Sequence, residues 1–182
     1  NLAKTVCSDN AIEVTLKSAI GFFPADQFVV VSINYNAAAL TPLTALPTIG
    51  ALVNANAIFN NAWENISNND EQVTYNVRPY SSITGCYGNP PAPVVVTIQR
   101  KPIVTPLPDL VICSGDIINV PLTSPNVSNA TFVWTSVPDA NIVGSTNSIT
   151  NTINDQLFNT TLALGSVTYQ HDPRGRGRAR VG

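Results

Sequence analysis

The sequence predicts an all-β protein made of two tandem β-sandwich units, of which the second is incomplete. Three observations lead to this prediction: a composition rich in strand and turn formers, apolar residues that alternate with polar ones, and a sequence that repeats itself. Val, Thr and Ile favour strands, whereas Asn, Pro, Gly and Ser favour turns. Charged residues make up only 11% of the 182 residues, so long helices would lack their usual exposed side chains.

Two parts of the chain match each other. Residues 6–18 (VCSDNAIEVTLKS) align with residues 112–124 (ICSGDIINVPLTS) at an offset of 106. Further along, residues 73–75 (VTY) match residues 167–169 at an offset of 94. The first unit is therefore longer by 12 residues, which we place in an insertion at about residues 36–50. A repeat of this length indicates two copies of one structural unit.

Each unit reads as a series of short strands. Alternation of apolar and polar residues has the period of a half-buried strand, and it predicts the first strand of each unit. A more apolar stretch predicts the second strand of each unit, and the first unit has two further strand patterns. The predicted strands lie at residues 12–16, 28–33, 73–77, 94–98, 118–122 and 132–137.

A proline-rich stretch at residues 102–108 separates the two units, because proline makes a stiff and extended linker. The first unit spans residues 1–101. The second spans residues 102–170, and we expect it to lack the last strand of the fold. Residues 171–182 form a basic Arg/Gly tail that breaks both the strand pattern and the charge pattern, and whose native origin stays open.

The three cysteines are interpreted through the repeat. Cys7 precedes the first predicted strand and Cys86 precedes the last strand of the same unit, positions that can come close in a sandwich. We therefore predict a Cys7–Cys86 disulfide, which would place the protein outside the cytosol. Cys113 aligns with Cys7, and its partner would lie in the missing part of the second unit. Three free buried cysteines are the alternative.

The sequence favours no catalytic site. The sole histidine, His171, lies in the tail after the last recognisable strand of an incomplete unit, a position that argues against a catalytic triad. Asp70 and Glu71 are neighbours on the chain, so their side chains would point to opposite faces of a strand. The two glycine-rich nucleotide-binding motifs, G-x-x-x-x-G-K-[ST] and G-x-G-x-x-G, are both absent from the sequence. We therefore predict that the protein is not an enzyme.

We expect no cofactor, and Ca²⁺ is the alternative. Calcium needs six to eight oxygen ligands at once, and no stretch of the chain has the spacing of a calcium loop. Aspartates in predicted loops more often cap turns. The loop aspartates that could offer oxygens to calcium are Asp9, Asp116, Asp139 and Asp155.

Charge and hydropathy exclude two classes of partner. Residues 1–170 carry five basic and ten acidic groups, so they are not suited to bind nucleic acid through its phosphates. No apolar run is long enough for a membrane-spanning helix, so we expect no membrane insertion.

Trp63 and Trp134 could stack on sugars. The position of Trp134 favours the core. Trp63 aligns with Leu157, which favours an apolar core position for Trp63 too, and ligand stacking by Trp63 is the alternative.

Two fragments carry a resemblance to a known family. The stretch GCYGNPPAPVVVTI at residues 85–98 and the stretch ICSGD at residues 112–116 resemble the PKD-like repeats of Bacteroidota. The resemblance extends over residues 1–170. It implies immunoglobulin-like β-sandwiches strung along very large secreted and cell-surface proteins, many of them linked to gliding motility and type IX secretion.

The resemblance also implies a function. We expect a structural and adhesive segment of a large extracellular protein, a spacer or stalk whose partners are neighbouring repeats of the same chain. Two alternatives stay open. One is a carbohydrate-binding module of a secreted hydrolase that binds surface glycans. The other is a subunit that self-associates into filaments by donor-strand exchange.

Overall fold

The computed structural model describes residues 2–18 and 25–174, and these residues form strands, turns and loops without a helix. The prediction of an all-β protein is confirmed. The chain divides into two compact units, Asn1–Lys101 and Pro102–Gly182, which we call unit 1 and unit 2. No helix among the described residues has the length and apolar character needed to span a membrane.

Unit 1 is built around one sheet. Its strands have the order β1-β8-β6-β2-β4, and β7 pairs with one end of β6. The β1 strand runs parallel to β8, whereas the other pairs are antiparallel. A separate two-stranded ribbon joins β3 to β5. The strands are β1 (Leu2–Cys7), β2 (Gln27–Tyr35), β3 (Leu40–Pro42), β4 (Leu52–Val53), β5 (Trp63–Asn65), β6 (Glu71–Ser81), β7 (Cys86–Tyr87) and β8 (Ala92–Gln99).

The core of unit 1 follows the alternation of its strands. Successive side chains of a strand point to opposite faces, so every second residue of a half-buried strand is apolar. In β8 the buried residues are Val94, Val96 and Ile98, while their neighbours are half-buried. The neighbouring β6 buries Val73 and Tyr75 in the same way. The predicted strands at residues 28–33, 73–77 and 94–98 therefore lie within β2, β6 and β8.

The predicted strand at residues 12–16 is not a regular strand. Ile12, Val14 and Leu16 are buried, as the alternation indicates. However, Glu13 has a φ of +49°, which takes the backbone out of the extended region. The amide of Ile12 donates to the carbonyl of Asn61 at 2.8 Å instead of joining a ladder. The first strand of the unit lies earlier, at β1.

Unit 2 contains shorter pairings. The pairs are β10 with β14, β11 with β13, and β9 with β12, all antiparallel. The predicted strand at residues 132–137 lies within β10, and only two residues of the predicted strand at 118–122 are paired. The strands are β9 (Val120–Pro121), β10 (Thr131–Pro138), β11 (Ile142–Val143), β12 (Thr152–Ile153), β13 (Phe158–Asn159) and β14 (Val167–Arg174). The buried core residues are Ile118, Leu122, Ala130, Phe132, Trp134 and Ile153.

The predicted end of the second unit at residue 170 is wrong, because β14 continues to Arg174. Pro173 lies opposite Phe132, as Pro79 lies opposite Phe28 in unit 1. His171, which the charge pattern assigned to the tail, therefore lies in the strand. The rest of the predicted tail, residues 175–182, lies outside the described residues.

The predicted insertion at residues 36–50 accounts for only part of the difference in length between the units. Leu40 pairs with Asn65 in unit 1, and Ile142 pairs with Asn159 in unit 2. Leu40 and Ile142 are therefore equivalent, with an offset of 102, so residues 40–42 have a counterpart in unit 2. The offset is 98 at Gly50, which corresponds to Ser148. The amide of Gly50 donates to the carbonyl of Val30, and the amide of Ser148 donates to the carbonyl of Trp134 in the same way. The offset reaches 94 by Asn65 and Asn159. The extra residues are thus spread over several connections, and many follow Pro42.

Candidate functional site

The cysteines do not form the predicted pair. Cys7 ends β1, where it lies opposite Gln99 of β8, and its Sγ donates to Gln99 Oε1 at 3.5 Å. Cys86 lies in β7 opposite Ser81, at the other end of β6. About ten residues of strand separate these two levels, or roughly 30 Å. The Cys7–Cys86 disulfide is therefore wrong, since the two residues lie at opposite ends of one sheet. Cys113 is exposed.

Trp63 is a core residue and is not available for stacking on a ligand. Its side chain is fully buried, its Nε1 donates to the hydroxyl of Tyr75 at 2.9 Å, and its ring packs against that of Tyr35. The alternative in which Trp63 stacks on a ligand is wrong, and Trp63 occupies the apolar core position that its alignment with Leu157 indicates. Trp134 is buried too, as expected, and its ring meets that of Tyr169 edge-on at 5.7 Å.

A polar contact joins a tyrosine to a loop in each unit, and it is buried in unit 1 and partly buried in unit 2. In unit 1 the hydroxyl of Tyr75 donates to Asn61 Oδ1 at 3.2 Å, and both side chains are buried. In unit 2 the hydroxyl of Tyr169 donates to Asp155 Oδ2 at 2.7 Å. Asp155 also accepts hydrogen bonds from the amide and the hydroxyl of Thr146, at 2.9 and 2.7 Å. These contacts satisfy polar groups that would be costly to bury alone.

Burial and these contacts shift the pKa of both tyrosine hydroxyls. Burial raises the pKa of Tyr75 to about 12, and the hydrogen bond from Trp63 opposes that shift. Burial also raises the pKa of Tyr169, and the hydrogen bond to Asp155 and the charge of Asp155 act in the same direction. Both hydroxyls are therefore neutral donors at ordinary pH. A proton held this firmly suits a structural hydrogen bond better than acid–base chemistry, for which a pKa near the working pH is needed.

A second polar motif recurs where β5 and β13 end. Asn65 Oδ1 accepts from the amide and hydroxyl of Ser67, both at 2.9 Å, and Asn159 Oδ1 accepts from the same groups of Thr161, at 2.9 and 3.2 Å. The backbone amide of each asparagine donates to an upstream serine. That of Asn65 bonds to Ser8 Oγ at 2.8 Å, and that of Asn159 bonds to Ser114 Oγ at 2.9 Å. These N-x-[ST] tripeptides are thus turns built by side chains.

The loop aspartates are each engaged in separate contacts. Asp139 Oδ2 accepts from the amide and the hydroxyl of Ser166, Asp116 Oδ2 accepts from the amide of Cys113, and Asp155 binds Thr146 and Tyr169. Among the described residues, no group of three or more His, Cys, Asp or Glu side chains is arranged to hold a metal ion. Each of these three aspartates thus accepts hydrogen bonds from groups of its own unit.

Asp9, the fourth of the calcium candidates, belongs to a small ion-pair cluster. Lys101 Nζ lies 2.9 Å from Asp9 Oδ2 and 2.7 Å from Glu64 Oε1. The hydrogen bonds to Glu64 and Asp9 raise the pKa of Lys101. All three side chains are partly exposed, and ion pairs of this kind add little stability.

The acidic neighbours Asp70 and Glu71 act on different partners. Asp70 Oδ1 accepts from the amide of Arg100, while Glu71 Oε1 accepts from the hydroxyl of Ser67. They do not face each other across a cleft, which is the arrangement that carboxylate catalysis needs.

Backbone contacts of the two units correspond as well. The amide of Asp9 donates to Trp63 and the amide of Gly115 donates to Leu157, at 2.8 and 2.7 Å. With the two turns and the two tyrosines, these contacts define one scaffold that the chain uses twice.

Comparison with known proteins gives a match within unit 2. Residues 110–179 match the family model of the PKD-like domain. The match begins just before Cys113 and includes the whole of β14, so it covers the tyrosine contact and the asparagine turn of unit 2. No curated protein and no solved structure matches the chain.

Two residues of the scaffold that recurs in both units have roles that the sequence patterns do not predict. The sequence patterns give Asp155 only as a calcium candidate and assign no role to Asn61. The two are 94 residues apart, as are Tyr75 and Tyr169, so the repeat itself pointed to them. An amide and a carboxylate do not align as identical residues, although both offer an oxygen to the tyrosine.

Proposed function

We propose that this chain is a structural segment, a spacer or stalk, of a large extracellular surface protein. The observation that carries the proposal is the scaffold used twice. Its tyrosine, asparagine and aspartate side chains are directed toward the backbone and core of their own unit. Side chains engaged in this way stabilise a fold and leave little to act on a substrate.

The PKD-like match supports an extracellular location, because domains of this kind typically occur in extracellular proteins. Unit 1 lies outside the match, and we propose the same type for it because its contacts correspond to those of unit 2. The origin in Bacteroidota, type IX secretion and gliding motility rest on the resemblance of residues 85–98 and 112–116 to repeats of such proteins. Neighbouring repeats of the same chain are the proposed partners.

An adhesive role through glycans has less support than the spacer role. A carbohydrate-binding module needs an aromatic ring exposed to the sugar, and the ring expected to serve, that of Trp63, is buried. Tyr87 is half-exposed and packs against Tyr80, but these rings form a tilted pair at 4.7 Å rather than a flat platform. The spacer role is therefore the function we propose.

Two measurements test the proposal. Antibodies raised against the purified chain should label intact producing cells as strongly as permeabilised cells; labelling only after permeabilisation would contradict an extracellular location. On a glycan array, the chain should give no signal above that of a heat-unfolded control. Saturable binding to one glycan class that is lost on Tyr87→Ala would favour the carbohydrate-binding alternative.

A further inference from the structure

Unit 2 contains an open pocket beside a buried carboxylate. Its volume is about 500 Å³, within the range of pockets that bind small molecules. Asp155 forms part of the wall, although only 3% of this residue is exposed. Most of the other polar lining comes from hydroxyl side chains, those of Thr146, Ser148, Thr150 and Thr152. The pocket therefore offers several hydroxyl oxygens and one negative charge.

A shorter connection accounts for this pocket. In unit 1, Thr44 and Gly50 occupy the positions of Thr146 and Ser148, and five residues separate them. In unit 2 a single residue separates the two positions. Leu46, one of the five, packs against the core of unit 1. The additional residues have no counterpart in unit 2, so the space that they cover in unit 1 is open there.

The carboxylate in the pocket has no cationic partner among residues 2–18 and 25–174. Its Oδ2 accepts from the amide of Thr146 and the hydroxyl of Tyr169, and its Oδ1 accepts from the hydroxyl of Thr146. All three donors are neutral. Burial of a charge is costly unless an opposite charge balances it. Asp155 therefore favours a cation in the space beside it.

Unit 1 shows which contact the carboxylate lacks. Asn61 Oδ1 accepts from a tyrosine hydroxyl, as Asp155 Oδ2 does. Asn61 Nδ2 thus corresponds to Asp155 Oδ1, and it donates to Thr44 Oγ1 at 3.4 Å and to the carbonyl of Ala45 at 3.0 Å. Thr146 provides the first of these contacts in unit 2. The second has no equivalent, because Ala45 belongs to the longer connection, so Asp155 Oδ1 keeps one acceptor position on the side of the pocket.

We propose that this pocket binds the primary ammonium group of an organic cation. One N–H of the ammonium donates to Asp155 Oδ1, and the others donate to hydroxyl oxygens of the wall, which accept as well as donate. The positive charge of the ligand balances that of the carboxylate. A bare ion would leave most of the volume unfilled, so the aliphatic part of the ligand occupies the remainder, beside Trp134 in the pocket wall.

The hydrogen bonds of Asp155 favour an ammonium over a guanidinium. A guanidinium binds a carboxylate best through two parallel hydrogen bonds. Asp155 Oδ2 already accepts twice, which leaves only Oδ1 for a ligand. A free amine and a lysine side chain carry the same ammonium group, and the test distinguishes these two sources. The inference goes beyond the spacer role and does not depend on it.

The test is a titration of the isotope-labelled full chain with n-butylammonium, at neutral pH and constant ionic strength. We expect a saturable shift of the Thr146 amide resonance, since this amide donates to Asp155. The amide of Ala62, which donates to Thr44 in unit 1, is the internal control and should not shift. Butylguanidinium and n-butanol should bind at least about tenfold more weakly.

A second probe, the peptide acetyl-Gly-Lys-Gly-amide, distinguishes the two sources of the ammonium. Both sources require the same contact with Asp155, so both support the proposal. Tighter binding of the peptide than of butylammonium would identify a lysine side chain as the ligand, and tighter binding of butylammonium would identify a free amine.

Two substitutions that each remove one negative charge from unit 2 form a matched pair. Asp155→Asn should weaken butylammonium binding at least about tenfold, and Asn61 shows that the scaffold accepts asparagine at this position. Asp109→Asn, at an exposed position outside the pocket lining, should leave binding unchanged. Ser148→Ala removes one hydroxyl of the wall, leaves the hydrogen bonds of Asp155 in place, and should weaken binding by about threefold.

Several outcomes would overturn the proposal. One is equal binding of butylammonium and butanol, since a charge would then have no part in recognition. Another is undiminished binding to Asp155→Asn, or to Ser148→Ala if the first variant does not fold. A third is displacement of butylammonium by an equal concentration of K⁺, which would show that the pocket selects a bare ion.

Discussion

Tyr75 and Tyr169 show why a polar group is retained inside each core. Each hydroxyl joins a late strand to the loop that precedes it, through Asn61 in unit 1 and Asp155 in unit 2. Phenylalanine would fill the same volume. In unit 1 it would leave Asn61 Oδ1 buried without the donor that Tyr75 supplies, whereas in unit 2 Asp155 Oδ2 would keep only the amide of Thr146. An unsatisfied buried group costs more than a hydrogen bond gains, so the tyrosine selects one arrangement of the loop.

Replacement of this hydroxyl should destabilise unit 1. Tyr75→Phe removes the acceptor of Trp63 Nε1 and the donor to Asn61, both of them buried. We expect the free energy of unfolding of unit 1 to fall by about 2 kcal/mol. Urea unfolding followed by tryptophan fluorescence measures the change. Tyr87→Phe, at a half-exposed ring, is the control and should change stability little; an equal loss in both variants would contradict the explanation.

The same tyrosine predicts a loss of stability in alkali. The pKa of Tyr75 is raised from 10.0 to about 12 in the folded state, so folding favours the protonated hydroxyl. Its contribution is complete below pH 10 and is lost as the pH rises toward 12, by about 1 kcal/mol at pH 11. Unfolding at pH 9 and pH 11 should show a smaller decrease in Tyr75→Phe than in the parent chain. Identical decreases would show that Tyr75 does not titrate in this range.

At the scale of elements, alternation predicted the regular strands and failed where the backbone departs from them. In β6 and β8 one face of the strand is buried, so apolar residues recur at every second position. The sequence shows this alternation directly. The stretch at residues 12–16 has the same periodicity, but the φ of +49° at Glu13 is not encoded in a pattern of apolar residues. A positive φ also recurs at Asp9 and Gly115, which align. Glycine at one of them was the visible sign of a special backbone position.

The asparagine turns should contribute unequally to stability. Asn65 is buried, and its Nδ2 donates to the carbonyls of Asn69 and Ile98 at 2.8 and 2.9 Å. Asn65→Ala should cost about 3 kcal/mol, because more than one group loses its partner away from water. Asn159→Ala should cost only about 1 kcal/mol, since water reaches that turn. Chemical denaturation measures both, with Asn68→Ala, an exposed position, as the control. Equal costs at the two turns would contradict this ranking.

The position of the cysteines on their strands predicts their reactivity. Cys86 and Cys113 are exposed, whereas Cys7 is partly buried beside β8. Iodoacetamide should therefore label Cys86 and Cys113 in the folded chain before it labels Cys7. Mass spectrometry of peptides from protein purified without reductant should show no Cys7–Cys86 crosslink. Detection of that crosslink in folded protein would mean that the two ends of the sheet come together, contrary to the structure.

For the whole molecule, the repeat revealed what composition could not. Offsets of 106 and 94 predicted two copies of one unit, and the equivalent hydrogen bonds around Asp9 and Gly115 follow those offsets. The predicted disulfide was wrong because predicting it correctly requires the order of the strands in the sheet. In that order β1 lies beside β8, and β7 lies at the far end of β6. The order depends on contacts between residues that are distant in sequence. A local pattern cannot specify such contacts.

Separate cores predict separate unfolding of the two units. Each buried cluster consists of residues from one unit, and that of unit 1 is the larger. Trp134→Phe leaves Trp63 as the reporter of unit 1, and Trp63→Phe leaves Trp134 as the reporter of unit 2. In these backgrounds, Ile98→Ala should lower stability by about 3 kcal/mol at the Trp63 reporter alone. Phe132→Ala should lower it by about 4 kcal/mol at the Trp134 reporter alone. Equal shifts at both reporters would show one cooperative unit, and a chain that unfolds in that way would not behave as a string of modules.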